Sequence, residues 1–223
     1  GTCSMLGTAN TMGCLAEVLG MSLPGCGLAP AVSSKKRRIC KQSGRRIIEM
    51  LKENLTPRRI MTREALRNGI MISMAMGAST NSTLHLPAIA HEGGIDISLD
   101  DFDELSRKVP YICNIKPSGA HPLVDLEDVG GIPAVMKAVE PLLDGSVLTC
   151  TGKTLKENLS GVERVENDVL YSLERPKKPE GGLAVLHGSL APKGAVVKQS
   201  GVKPSMFHFE GHARVFTSME DAC

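Results

Sequence analysis

One cysteine near the start of the chain carries the clearest chemical signal. Cys3 lies in the run Gly1-Thr2-Cys3-Ser4-Met5-Leu6-Gly7-Thr8-Ala9-Asn10-Thr11-Met12, where small residues flank it on both sides. Such neighbours allow a thiolate to be exposed in a tight turn, and a helix that starts there favours negative charge through its aligned peptide dipoles. We therefore predict that Cys3 is a metal-ligating thiolate at the start of a helix.

Three short hydrogen-bonding side chains, Ser79, Thr80 and Asn81, follow an apolar run that ends at Met76. Buried polar groups need partners, so such a trio belongs either to a helix-capping motif or to the wall of a pocket. His85 lies in the same segment, and the residues alone favour a hydrogen-bonded core histidine over a general acid.

A second polar segment, Lys116-Pro117-Ser118-Gly119, follows a predicted strand over 109–115. Loops at the carboxyl ends of strands bind ligands in open α/β sheets, so Lys116, Ser118 and His121 are candidate contacts for an anion or a hydroxyl group. The run Thr151-Gly152-Lys153-Thr154 is similar to the end of a phosphate-binding loop but lacks its earlier glycine, and nucleotide binding is not expected.

Helices are predicted around these segments. Apolar spacing predicts a helix over 34–53 with Ile39, Ile47 and Leu51 on one side and a solvated basic face on the other. A second helix is predicted to start after the N-cap Thr62 and to continue through the methionine-rich stretch 70–76, which is apolar all round and therefore buried.

Strand-like segments alternate with these helices. Further helices are predicted over 82–91 and after the capping box Ser98/Asp101, and a further strand over 146–150. The resulting fold class is α/β. Residues 1–174 are predicted to form part of a layered α/β domain, and the charged, proline-bearing segment 175–182 a linker. Residues 183–223 are predicted to start a β-rich, barrel-like domain with short strand-like runs over 183–187, 195–199 and 213–217.

The chain has seven cysteines with irregular gaps and no Cys-x-x-Cys pair, which argues against a disulfide framework and a zinc ribbon. Cys14, Cys40, Cys113 and Cys150 lie in apolar contexts and are predicted to be small buried hydrophobes.

Composition excludes several function classes. The net charge is +2, aromatic residues make up 3% of the chain and tryptophan is absent, so nucleic-acid binding is not expected. No apolar run approaches the ~20 residues of a bilayer span and no signal-peptide pattern opens the chain, so a cytoplasmic protein without membrane contact is expected.

The run from Gly1 to Gly25 resembles the dihydroxy-acid dehydratase and phosphogluconate dehydratase family of iron–sulfur hydro-lyases, and lies closest to dihydroxy-acid dehydratase. Five more segments are similar to motifs of that family in the same order: Gly77 to Leu86, Lys116 to Gly119, Gly130 to Val135, Thr151 to Leu155, and Leu190 to Val196. Together these segments cover nearly the whole chain.

The resemblance implies a dehydration that converts a 2,3-dihydroxy carboxylate into a 2-keto acid. It implies that Cys3 is one of three thiolate ligands of an iron–sulfur cluster, 2Fe-2S or 4Fe-4S, and that Mg²⁺ is a second cofactor. It places Ser79, Thr80, Asn81, Lys116 and Ser118 by the substrate and raises His85 to a catalytic candidate. A homodimer that binds a small dihydroxy acid is expected.

The family's other metal ligands and its catalytic serine have no counterpart in this sequence, so we expect an incomplete segment that is inactive by itself. Two other functions stay open. One is a sugar-acid dehydratase of the phosphogluconate or arabinonate type. The other is a non-catalytic scaffold or interaction segment stabilised by the buried methionine-rich helix.

Overall fold

Helices make up most of the regular structure of the computed structural model, which describes residues 3–223. The α-helices of this range are α1 (Thr8–Val18), α2 (Ser34–Lys52), α3 (Pro57–Ile60), α4 (Arg63–Met76), α5 (Ser82–Glu92), α6 (Leu99–Lys108), α7 (Leu123–Asp128), α8 (Gly131–Ala138), α9 (Leu155–Leu159) and α10 (Met219–Ala222). The strands are β1 (Ala184–Gly188) and β2 (Ala191–Val197). The fold class is α/β, as predicted.

Helix α4 forms the centre of the core. All residues of its second half, 70–76, are buried, as predicted for a stretch that is apolar all round, and the helix packs against α1, α5, α6 and α8. It starts at the predicted N-cap Thr62, whose hydroxyl accepts the Ala65 N–H at 3.2 Å. It ends at Gly77, which has φ +60° and therefore a conformation that glycine adopts at low cost. The helix thus fixes the position of the polar segment that follows it.

The predicted capping box at the start of α6 is present. Ser98 Oγ accepts the Asp100 N–H at 3.2 Å, and the Asp101 carboxylate accepts the Ser98 N–H at 3.1 Å. These bonds satisfy N–H groups that the first turn of a helix leaves without a partner.

Helix α2 has the predicted extent, but its expected apolar face is only partly covered. Ile39 is buried, whereas Ile47, Ile48 and Leu51 are 57%, 54% and 78% exposed. The apolar spacing alone does not show whether another element packs on that face, and in residues 3–223 none covers it.

Two predicted strands appear only as isolated bridges. In the 109–115 segment, Ile112 and Cys113 donate their N–H groups to Ala75 O at the end of α4, so no continuous strand ladder forms. In the 146–150 segment, a tight turn leaves room for one bridge, between Leu148 and Thr154. The expected strand-like run 213–217 is exposed and irregular.

The β structure of residues 3–223 is a two-stranded antiparallel sheet in which Ala184 pairs with Val197 and Leu186 with Ala195. The segment that precedes this hairpin is hydrogen-bonded to helices from the first half of the chain. Gly181 and Gly182 donate N–H groups to Ser106 O and Met74 O, each at 2.8 Å. The segment predicted as a linker is therefore held by backbone hydrogen bonds to α6 and α4, and the domain division itself stays a prediction.

The cysteines differ in exposure. Cys14, Cys113 and Cys150 are buried, as predicted. The same prediction is wrong for Cys40, which is exposed on the uncovered side of α2. The helices of residues 3–223 include none whose length and hydrophobicity suit a bilayer crossing.

Candidate functional site

The first turn of α1 meets the polar trio that follows α4. Thr8 Oγ1 lies 3.1 Å from Ser79 Oγ and accepts a hydrogen bond from Asn81 Nδ2 at 2.7 Å. One turn further on, Thr11 Oγ1 accepts the Ser79 N–H at 3.1 Å. Residues about seventy positions apart in the sequence thus form one hydroxyl-rich surface. The sequence left a capping motif and a pocket wall open for the trio, and the Asn81 side chain makes no cap hydrogen bond to α5.

Cys3 is exposed and lies in the segment that leads into α1. The helix itself starts only at Thr8, so the thiol precedes the first turn rather than lying within it. Asn10 fixes this segment, because its Nδ2 donates to Cys3 O at 3.1 Å and to Met5 O at 2.8 Å. Cys3 borders a cavity of about 130 Å³, which is lined in addition by Ser4, Asn10, Gly27, Leu28, Pro30, Leu123 and Val124.

The turn at Lys116 lies beside the Cys3 segment. Lys116 O accepts the Leu6 N–H at 2.8 Å, and the Ser4 carbonyl accepts the Leu123 N–H at 2.8 Å. The Lys116 side chain is exposed, and its peptide bond to Pro117 is cis. The predicted turn and the predicted thiol site are therefore neighbours through backbone contacts.

The end of the β hairpin completes this region. Ser200 Oγ donates to Ser118 Oγ at 3.0 Å. Lys198 Nζ donates to Gly77 O at 2.6 Å and to Ala78 O at 3.3 Å, immediately before the polar trio. Burial lowers the pKa of Lys198 to about 8. A cation on the last carbonyls of a helix is also favoured by the helix dipole.

Sequence reasoning did not single out Thr8, Thr11 or Lys198 as site residues. The signal for Lys198 is a charged residue at the end of an otherwise apolar β segment, which does not say what the ammonium group contacts. The roles of Thr8 and Thr11 depend on the packing of α1 against α4 and α5.

Thr80 and Asn81 border a groove of about 580 Å³ between α5 and β2, together with Thr83, Leu84, Pro87, Ile97, Leu99, Gly194, Ala195 and Val196. His85 lies on α5 and is exposed, so the prediction of a core histidine is wrong. The nitrogens of His121 face two carboxylates, with Nδ1 at 3.0 Å from Asp125 Oδ2 and Nε2 at 3.2 Å from Asp168 Oδ2. His121 therefore pairs with acids rather than facing an anion.

The metal-binding potential of residues 3–223 is limited. Within this range no three or more His, Cys, Asp or Glu side chains converge to hold an ion. The exposed Cys3 thiol beside its cavity fits one ligand of an iron–sulfur cluster, but the described residues do not supply a complete ligand set. The donors present do not fit a whole cluster or a magnesium site.

Models of known protein families match nearly the whole length of the chain. Residues 1–158 match the model of the dihydroxy-acid/6-phosphogluconate dehydratase N-terminal domain, and residues 168–223 match that of the C-terminal domain. The chain belongs to this dehydratase family. The resemblance seen in the sequence motifs is confirmed.

Similar relatives come from archaea and bacteria. The chain is 53% identical over its whole length to a dihydroxy-acid dehydratase of Methanothermobacter thermautotrophicus and covers 40% of that protein. It is 49% identical over its whole length to the dihydroxy-acid dehydratase of Moorella thermoacetica, covering 41% of it, and 51% identical to that of Ignicoccus hospitalis, again covering 41%. The chain thus spans about two fifths of the length of these relatives.

Proposed function

We propose that the complete gene product containing this chain dehydrates a 2,3-dihydroxy carboxylate to a 2-keto acid in valine and isoleucine biosynthesis. The observation that carries the proposal is the meeting of three distant polar segments at one end of α4. These segments are the start of α1, the trio at Ser79–Asn81 and the turn at Lys116–Ser118. The names of the relatives support the same substrate class.

The reaction removes the proton from carbon 2 and the hydroxyl from carbon 3, which leave together as water, and the resulting enol converts to the ketone. A polar surface of hydroxyls and an amide suits a polyhydroxy substrate, because each substrate hydroxyl needs a hydrogen-bond partner once it leaves water. Ser79, Thr80 and Asn81 provide such groups. Lys116 is an exposed cation for the substrate carboxylate, and Ser118 is a second hydroxyl beside it.

We propose that Cys3 is one thiolate ligand of an iron–sulfur cluster, 2Fe-2S or 4Fe-4S, and that Mg²⁺ is required. The remaining ligands would have to come from outside the described residues, because those residues offer no complete set. We therefore assign no reaction step to a metal held by this chain alone, and we expect the isolated chain to be inactive. His85 stays a catalytic candidate on the strength of its place beside the trio.

We further propose a cytoplasmic homodimer whose partner is a small dihydroxy acid rather than nucleic acid or a membrane. The uncovered apolar side chains of α2 supply a self-complementary face for the dimer. Two-fold symmetric dimers are the most common soluble oligomers.

The test is keto-acid production by the complete gene product after anaerobic reconstitution with iron, sulfide and Mg²⁺, with dihydroxyisovalerate and gluconate offered in parallel. Turnover of dihydroxyisovalerate supports the proposal. Preference for gluconate would replace it with sugar-acid dehydration. Absence of turnover with bound cluster would favour a non-catalytic role. The chain of residues 1–223, assayed beside it, is expected to give none.

Matched cysteine variants connect the activity to Cys3. Cys3→Ser is expected to lose bound iron and turnover, because a hydroxyl is a poor ligand for iron that thiolates hold. Cys40→Ser removes another exposed thiol, on α2, and is expected to keep both. Equal iron content in the two variants would contradict the ligand role of Cys3.

A further inference from the structure

A buried glutamate on α1 holds a loop that lines the cavity beside Cys3. The Glu17 side chain is buried, and its two oxygens accept the backbone N–H groups of Gly25 at 2.6 Å and Gly27 at 2.7 Å. Carboxylates that accept backbone N–H groups form short, strong hydrogen bonds. The loop is thereby fixed to the helix by one side chain.

The same loop forms a wall of the cavity beside Cys3. Gly27 and Leu28 line this cavity, together with Cys3 and Asn10. Another part of the lining, the Cys3 segment, is fixed by Asn10, whose Nδ2 donates to the Cys3 and Met5 carbonyls. Two parts of the cavity lining are therefore held by two side chains of one helix.

Asn10 and Glu17 are seven residues apart, which is almost two full turns of an α-helix. Residues at this spacing lie on the same side of a helix. Helix α1 thus acts as a rigid element from which one side chain holds the Cys3 segment and the other holds the facing loop.

At Gly27 the loop lies in direct contact with α1. A Cβ atom at Gly27 would lie 3.0 Å from Cys14 Cα and 3.0 Å from Gly13 O. A side chain at this position would push the loop away from the helix. The absence of a side chain at Gly27 therefore allows the loop to approach α1, and the Glu17 carboxylate holds the loop at that distance.

Burying a carboxylate is costly unless its hydrogen bonds compensate. Four ionisable groups act on Glu17 through space: Glu127, with like charge, Lys35, with opposite charge, and the buried thiols Cys14 and Cys150. No lysine or arginine of the described residues forms an ion pair with Glu17. The backbone of the loop is its direct partner.

We propose that Glu17 is a positioning residue that holds the Gly27–Leu28 part of the cavity lining and thereby sets the space available to a group bound at the Cys3 thiol. This inference rests on the proposed role of Cys3. It is separate from the substrate contacts, which lie at the trio and at the Lys116 turn.

The test uses the complete gene product, freed of any bound cluster so that the Cys3 thiol can react, with Glu17→Gln and Glu17→Met. Two local properties are measured: hydrogen exchange of the peptide covering Gly25–Leu28, and the rate of Cys3 alkylation by iodoacetamide, resolved by mass spectrometry. Glu17→Gln keeps one acceptor, so we expect about tenfold faster exchange in this peptide and a larger increase for Glu17→Met. The Cys3 alkylation rate is expected to change severalfold in the same order.

Internal references separate positioning from general loss of stability. Exchange of residues 70–76 in α4 and alkylation of the exposed Cys40 are expected to stay as in the wild type, and the exposed Glu163→Gln is the matched control variant. If both Glu17 variants unfold, Gly27→Ala is measured instead. It displaces the loop without removing the carboxylate and is expected to change the Cys3 rate. Unchanged loop exchange and Cys3 alkylation in the folded variants would overturn the proposal.

The same experiment distinguishes this inference from the proposed function. If the wild-type protein dehydrates dihydroxy acids but Cys3 alkylation is insensitive to Glu17, only the positioning role fails. If Cys3 alkylation responds to Glu17 while the reconstituted wild-type protein gives no keto acid, only the proposed function fails.

Discussion

At the level of single residues, the cysteines of this chain differ in whether they are buried or exposed. Burial raises the pKa of the Cys14 thiol well above its usual range and that of Cys113 to about 12. Cys3 and Cys40 are exposed. Because only the thiolate reacts with alkylating reagents, burial both blocks access and suppresses the reactive form.

We therefore expect iodoacetamide to label Cys3 in the cluster-free native protein before Cys14 or Cys113. Peptide mapping of the alkylated protein over time measures the order. In urea the three thiols should react at similar rates, which is the control for intrinsic reactivity. Early native labelling of Cys14 would contradict its place in the core.

The raised pKa of Glu17 predicts how the stability of the protein depends on pH. Burial raises the pKa of Glu17 to about 7, against the stabilising hydrogen bonds from Gly27 and Gly25. A carboxyl group with a raised folded-state pKa binds its proton more tightly in the folded protein. Its contribution to stability is therefore full below the unfolded-state pKa and is lost as the pH rises through about 7.

Relative to Glu17→Gln, the wild type is expected to lose about 2–3 kcal/mol of unfolding free energy between about pH 5 and about pH 8. Urea unfolding at several pH values measures the difference, and Glu163→Gln is expected to follow the wild type throughout. Parallel curves for the wild type and Glu17→Gln would contradict the raised pKa.

At the level of elements, the end of α4 connects the two halves of the chain. Gly77 ends the helix, Lys198 binds the carbonyls of Gly77 and Ala78, and Gly182 donates its N–H to Met74 O at 2.8 Å. A Cβ atom at Gly182 would lie 2.2 Å from Gly77 Cα, so the two backbones touch. The position of the polar trio depends on this junction.

Gly77→Ala tests the junction, and Gly94→Ala is its matched control. Both glycines have positive φ, +60° and +71°, but only at Gly77 would the new Cβ meet other atoms, with Tyr111 Cε2 at 2.7 Å and Ser200 Oγ at 3.0 Å. We expect a loss of about 1 kcal/mol for Gly94→Ala, from backbone strain alone. For Gly77→Ala we expect about 3 kcal/mol, because crowding adds to the strain. Urea denaturation measures both, and equal losses would mean that the junction can move apart.

At the level of the whole molecule, the uncovered side of α2 is a surface suited to self-association. Ile47, Ile48 and Leu51 form an exposed apolar strip on this helix. Adjacent exposed apolar side chains mark interaction surfaces more often than single ones do. The strip supports the proposed homodimer.

We expect the complete gene product to sediment as a dimer and Ile48→Glu to sediment as a monomer, because a charge in an apolar interface loses its hydration. Leu190→Glu, at a fully exposed position in the hairpin turn, is the control and should leave the mass unchanged. A wild-type mass for Ile48→Glu in sedimentation equilibrium would exclude this face of α2.

Elements whose sequence signals are local were predicted correctly from the residues alone. The N-cap at Thr62, the all-apolar stretch 70–76 and the capping box at Ser98 each depend on residues within one or two turns, and each is present as predicted. The family motifs were also recognisable in the sequence, because they are short runs of adjacent residues. The proposed ligand role of Cys3 follows from such a run and stays a prediction.

Features that depend on distant partners could be seen only once the chain was folded. The 109–115 segment is extended, but Ile112 and Cys113 donate their N–H groups to Ala75 O at the end of α4, and the segment forms only isolated bridges. The apolar side of α2 is exposed because no other element of residues 3–223 packs there. Helix α1 acquires its role only from contacts with Ser79 and with the loop at Gly25, since a hydrogen bond between distant residues depends on the packing that brings them together. No pattern among residues that are neighbours in the sequence predicts that packing.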